Sequence, residues 1–87
     1  MNNESYSTMD AYLAAFLTIK NCHPTYRFSN NKIVFSFELT PDLQRNIELF
    51  ESGELVNVYA FTKAIKQVKS IIFSMKDERR YGQMGNR

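Results

Sequence analysis

Apolar side chains recur along this chain first at helical and then at alternating spacing. At about 100° per residue, Met9, Tyr12, Leu13, Phe16, Leu17 and Ile19 fill one broad helical face, with Ala11, Ala14, Ala15 and Thr18 on the other. Ser7, followed three residues later by Asp10, resembles a capping box in which Asp replaces Glu or Gln. The first helix is therefore expected to start at Ser7, after a flexible polar lead over residues 1–6. Only Asp10 and Lys20 demand water along this segment. A helix with so little charge on its back has that back covered, and small residues there let another helix approach closely. Ala11, Ala14, Ala15 and Thr18 thus form a candidate oligomer face, and a homodimer is the expected assembly.

Asn21-Cys22-His23-Pro24 ends the helix, because the residue before proline is pushed away from helical angles and Asn tolerates a C-terminal cap. Period-two alternation follows. Tyr26 and Phe28 share one face of a first strand, and Ile33, Phe35, Phe37 and Leu39 share one face of a second. A two-residue turn at Asn30-Asn31 pairs Phe28 with Ile33 and Tyr26 with Phe35, which gathers the large apolar side chains on one face. The opposite face, with Thr25, Arg27, Ser29, Lys32, Val34, Ser36 and Glu38, is polar enough for solvent. An isolated hairpin is marginal in water, so helices must cover it, and its edges are open to further pairing.

Thr40-Pro41-Asp42 predicts a second helix, with Thr as cap, Pro in the first turn and an acid near the positive end of the dipole. Leu43, Ile47 and Phe50 make its inner stripe, and Gly53 is placed to end it in a left-handed conformation. Asn57 is the candidate cap of a last helix over about residues 58–76, in which Phe61, Ala64, Ile65, Val68, Ile71, Ile72 and Met75 recur at core-facing steps. Residues 77–87 hold two glycines and scattered charge without apolar period, which predicts a frayed or disordered basic tail. The expected fold is one small α+β domain over residues 7–76 in the order α-β-β-α-α, a hairpin packed on helices. Its core should bury Phe16, Tyr26, Phe35, Phe37, Phe61, Ile65, Val68 and Ile72.

Length and composition narrow the function classes. With 87 residues, the chain has room for a single domain of marginal stability. Seven Phe and five Tyr argue against disorder, and no apolar run approaches the length of a membrane span. The first residues lack the pattern of a secretory signal and Cys22 is the sole cysteine, so a reducing cytoplasm is the expected compartment. The net charge of +2 conceals two poles. Residues 38–58 are acidic, and residues 59–87 carry seven Lys/Arg against Asp77 and Glu78.

Chemistry-bearing patterns are few. One Cys beside one His, with no clustered carboxylates, falls short of the roughly four ligands of a zinc site. His23 is poorly placed to activate its neighbour Cys22, and no phosphate loop or dinucleotide fingerprint occurs. A non-enzyme without metal or cofactor is expected. Glu48, Glu51 and Glu54 suggest an acidic helix edge, either solvated or able to imitate nucleic acid. The last helix offers more: Tyr59, Lys66 and Phe73 project in nearly one direction, flanked by Lys63, Lys69 and Lys76, and Arg79 and Arg80 extend the basic surface. Cations that neutralise phosphates interleaved with flat rings on which bases stack are the chemistry of nucleic-acid binding. The competing reading places Tyr59 and Phe73 in the core or against a second subunit, with the lysines as a solvated face.

The runs Ser7-Thr8-Met9-Asp10-Ala11-Tyr12-Leu13-Ala14-Ala15-Phe16-Leu17, Ile33-Val34-Phe35-Ser36-Phe37, Leu49-Phe50-Glu51-Ser52-Gly53, Val56-Asn57-Val58-Tyr59-Ala60-Phe61 and Ala64-Ile65-Lys66 carry a likeness over roughly residues 6–75. The chain resembles a family of short uncharacterised proteins, a domain of unknown function found in bacterial genomes, phages and mobile elements. The resemblance implies a context and no site residue: small proteins of mobile elements often bind nucleic acid or obstruct a host enzyme or defence complex. The leading expectation is a binding protein that engages nucleic acid or a nucleoprotein through the basic-aromatic face. A protein-only adaptor or inhibitor is the alternative, and a structural subunit of a larger particle comes third.

Overall fold

Asn30 and Asn31 both adopt positive φ, 54° and 68°, so the turn is type I′ and its twist matches the strands it joins. The strands on either side, β2 (Thr25–Ser29) and β3 (Lys32–Glu38), pair antiparallel with Phe28 opposite Ile33 and Tyr26 opposite Phe35, the expected register. The Tyr26 and Phe35 rings meet edge to face at 5.3 Å between centroids. This computed structural model describes residues 4–84, and side chains over residues 4–77.

β3 is the centre of a three-stranded sheet, because β1 (Ser5–Thr8) pairs antiparallel along its other side. This corrects the expectation of a flexible lead over residues 1–6 and of a helix starting at Ser7; residues 1–3 lie outside the described residues. Tyr6 sits opposite Phe37 and packs on the core, and the hydroxyls of Ser7 and Ser36 lie 3.0 Å apart. The pairing that an open hairpin edge demanded is supplied by the chain itself.

Helix α1 (Ala11–Ile19) is capped by Asp10, whose carboxylate accepts from the N–H groups of Tyr12 at 2.9 Å and Leu13 at 3.3 Å. Two orphan donors are satisfied by one side chain, which a Ser7 cap could not reach from within a strand. At the other end Asn21 takes φ 68°, the Cys22 N–H donates to the Leu17 carbonyl and the Asn21 N–H to that of Thr18, a Schellman closure. Helix α2 (Pro41–Glu51) begins at the Thr40 hydroxyl, 3.0 Å from the Leu43 N–H, and closes the same way on Gly53 at φ 84°. Asn57 caps α3 (Val58–Met84) by accepting from the Ala60 N–H at 2.8 Å. This last helix continues through Met84, beyond the expected stop near Lys76 and into the segment expected to fray; residues 85–87 lie outside the described residues.

The core joins Leu13, Ala14, Ala15, Phe16 and Leu17 of α1 to Ile33, Phe35 and Phe37 of β3, Leu43 of α2, and Ala64 and Val68 of α3. Of the expected core, Phe16, Phe35, Phe37 and Val68 are buried, while Tyr26, Phe61, Ile65 and Ile72 are half-buried against it. Phe16 meets Phe50 of α2 at 5.4 Å. Both faces of α1 are covered: Leu13, Phe16 and Leu17 are buried as expected and Ala14 and Ala15 are 0% exposed, whereas Tyr12 at 53% and Met9, just ahead of the helix, at 59% leave the expected apolar face for solvent. The small residues admit a helix, as their size implied, but that helix is the chain's own α3. Thr18 borders a groove with Ala64, Val68 and Ile71, and Tyr12 lies beside Lys69. As a face for a second subunit, Ala11, Ala14, Ala15 and Thr18 are therefore corrected: two are fully buried, two half-buried, and α3 occupies their side.

Candidate functional site: the outer face of the last helix

Residues seven apart on an α-helix drift by only about 20°. Once Ala64 and Val68 are turned into the core, Tyr59, Lys66 and Phe73 must stay together on the far side. Tyr59 is 74% and Phe73 70% exposed, and Lys63, Lys66, Lys69 and Lys76 are all exposed around them. Neither ring widens the chain's own core. Arg79 and Arg80 belong to the helical backbone of α3, and their side chains lie outside the described residues.

Two of these lysines are engaged with rings. The ammonium of Lys63 stands 6.0 Å from the centroid of the Tyr59 ring, one turn back on the same helix. That of Lys69 stands 5.6 Å from the ring of Tyr12, on α1. Such cation–π contacts hold flexible ammonium groups against flat surfaces at modest cost in solvation. Tyr12 is the residue that sequence reasoning placed elsewhere: its spacing with Phe16 suggested the core side of α1. Burial of α1 toward the sheet, α2 and α3 at once leaves the Tyr12 edge as the side that meets water. No local signal reports which edge that is.

Asp77 is the one acid among the described side chains of α3, so the field along this face is positive for most of its length. The acidic α2 edge differs. Glu54 is taken up by Lys20 at 2.8 Å and Asp42 by Arg45 at 2.7 Å, which leaves Glu48 and Glu51 exposed beside them. Chemically the α3 face can neutralise anionic groups at spacings of one helical turn and offer two exposed rings for stacking.

Elsewhere the functional groups stay apart. Cys22 is half-buried and receives a weak hydrogen bond from the Asn46 side-chain amide at 3.8 Å, while His23 is exposed. Both border an open cleft of about 380 Å³ with Lys20, Glu38 and Asp42. Among the described residues no group of three His, Cys, Asp or Glu side chains is disposed to hold a metal ion. Burial raises the Tyr26 phenol above its ordinary value near 10, but that ring belongs to the sheet. Among the described residues no helix is long and apolar enough to cross a membrane; α3 has the length but carries lysines throughout.

No curated protein and no solved structure matches the chain. Residues 3–74, a span that includes Tyr59, Lys63, Lys66, Lys69 and Phe73, match a family model, and the chain belongs to that family, DUF5659, a domain of unknown function.

Proposed function

We propose that this protein is a non-enzymatic binding protein that engages nucleic acid, or a nucleoprotein, through the outer face of α3. The observation that carries the reading is the exposure of Tyr59 and Phe73 among Lys63, Lys66, Lys69 and Lys76. Large rings left in water on a helix that has ample core elsewhere call for a ligand that covers them, and the surrounding cations select an anionic one. The resemblance to proteins of phages and mobile elements fits an accessory role in such an element, acting in the cytoplasm.

Engagement of four lysines with single-stranded phosphates gives a slope of about −3 in log K against log salt, a loss of roughly fifty-fold between 50 and 200 mM. The test is binding of the purified protein to labelled single- and double-stranded DNA and RNA across that range. Lys66→Glu combined with Lys69→Glu should abolish most of the affinity in a protein that keeps its helical circular dichroism. Undiminished binding in that variant removes the α3 face as the site.

A second reading rests on Leu55 and Val58, which are exposed beside Tyr59 at the start of α3. This apolar group suits a protein partner, as an adaptor or an inhibitor of a host enzyme or defence complex would require. A complex that survives nuclease treatment and high salt would favour it.

A further inference from the structure

The basic-aromatic surface does not end at the edge of α3. Around the helix axis, Lys69 and Lys76 stand between the outer stripe of Tyr59, Lys66 and Phe73 and the core-facing Ile72, so they lead from one to the other. Lys69 already reaches the exposed Tyr12 ring. Lys76 borders a cleft of about 300 Å³ whose remaining lining is Met9, Lys32, Ile33, Phe35 and Ile72. Lys32 comes from the end of the β2–β3 turn, far from α3 in sequence.

The composition of this cleft is specific. Its floor is apolar, since Ile33 and Phe35 are buried and Ile72 half-buried, and Met9 stands exposed as a flexible wall. Its rim holds two lysines and no acid, and neither lysine forms an ion pair among the described residues. An apolar floor under paired cations is complementary to a flat, uncharged ring carried on an anionic strand: a nucleobase enters and its flanking phosphates meet Lys32 and Lys76.

We infer that the ligand is a single-stranded nucleic acid whose path runs from the α3 stripe past Tyr12 and places an unpaired base in the cleft between Lys32 and Lys76. The inference rests on the reading of α3 as a nucleic-acid surface and adds the strandedness, the path and the residues of a second element. A duplex keeps its bases stacked inside and has none to insert, so single strands bind more tightly than duplex of the same sequence.

The experiment compares Lys32→Glu/Lys76→Glu with Arg27→Glu/Arg45→Glu, an equal change in net charge at exposed positions that do not line the cleft. Single-stranded oligonucleotides and the matching duplexes are titrated at 50 mM salt, with folding checked by circular dichroism and thermal melting. The cleft variant should lose about tenfold or more in single-strand affinity, and the control pair far less. Crosslinking of wild-type protein to 5-iodouracil-substituted oligonucleotides reports the path without any mutation, and should mark peptides holding Met9 or Tyr12. Equal losses in the two variants, crosslinks absent from those peptides, or preference for duplex would overturn the inference. If the cleft variant binds like wild type while the Lys66→Glu/Lys69→Glu protein does not, the cleft fails and the α3 reading stands. No binding by the wild-type protein at low salt brings down both.

Discussion

Ala15 is the position at which the packing of this fold is tested most directly. It follows Tyr12 by three residues and precedes Thr18 by three, so it lies midway between them around α1. Tyr12 touches Lys69 and Thr18 borders the groove of Ala64, Val68 and Ile71, so the methyl of Ala15 faces α3 at 0% exposure. Ala15→Leu puts an isobutyl group where a methyl fits. Intrinsic helix propensity changes little between Ala and Leu, so any large effect comes from forcing α1 and α3 apart or from off-rotamer packing. Overpacking of this kind costs about 2–3 kcal/mol. A domain of this length has roughly 4–13 kcal/mol in total, so the loss is a sizeable fraction. Urea denaturation followed by far-ultraviolet circular dichroism suits a chain that has no tryptophan. With a slope near 1 kcal/mol per molar urea, the midpoint should fall by about 2–3 M at unchanged slope. A midpoint equal to wild type would refute the packing of α3 on this face. Restored or increased stability at higher protein concentration would point instead to a subunit interface.

Two further outcomes follow from the local structure. Asp10→Ala should cost about 1 kcal/mol, through loss of the α1 cap, whereas Ser7→Ala gives up only an exposed hydroxyl contact; equal losses in thermal melts would contradict Asp10 as the cap. Burial raises the Tyr26 phenol, so the folded state holds that proton more tightly than the unfolded chain. Its contribution is complete below about pH 10 and is lost as pH climbs through the raised folded value, so Tyr26→Phe should lessen the alkaline loss of stability above pH 10. An identical pH profile in the two proteins would rule this out.

The elements legible in the chain are those whose causes are local. Asn30-Asn31, Thr40-Pro41, Gly53 and Asn57 act on backbone groups within a few residues, and all four do what their chemistry implies. Alternation over Tyr26, Phe28, Ile33, Phe35 and Phe37 sets the hairpin register because a one-residue slip would turn every ring to water. The spacing of Tyr59, Lys66 and Phe73 placed them on one side of a helix. Their exposure needed the structure, since only the packing of Ala64 and Val68 against α1 shows which side is out.

What the chain did not disclose depends on partners distant along it. Ser5-Tyr6-Ser7-Thr8 holds a single large apolar residue, too little to read as a strand, and becomes one because β3 offers it a free edge and Phe37 to pack on. The back of α1 reads as a face for a second subunit until α3 lies on it. Helix α3 continues past the last apolar repeat because helix propagation adds a hydrogen bond per residue and no breaker stands at Lys76. Lys32 and Lys76 share a cleft only because the start of β3 lies beside the second half of α3. By itself the sequence determined the caps of α2 and α3, the turn, the helical and alternating periods and the basic-aromatic stripe, all consequences of geometry over a few residues. The third strand, the covering of the alanine face of α1 by α3 and the cleft were decided by tertiary structure, because each is a contact between segments that no local propensity brings together.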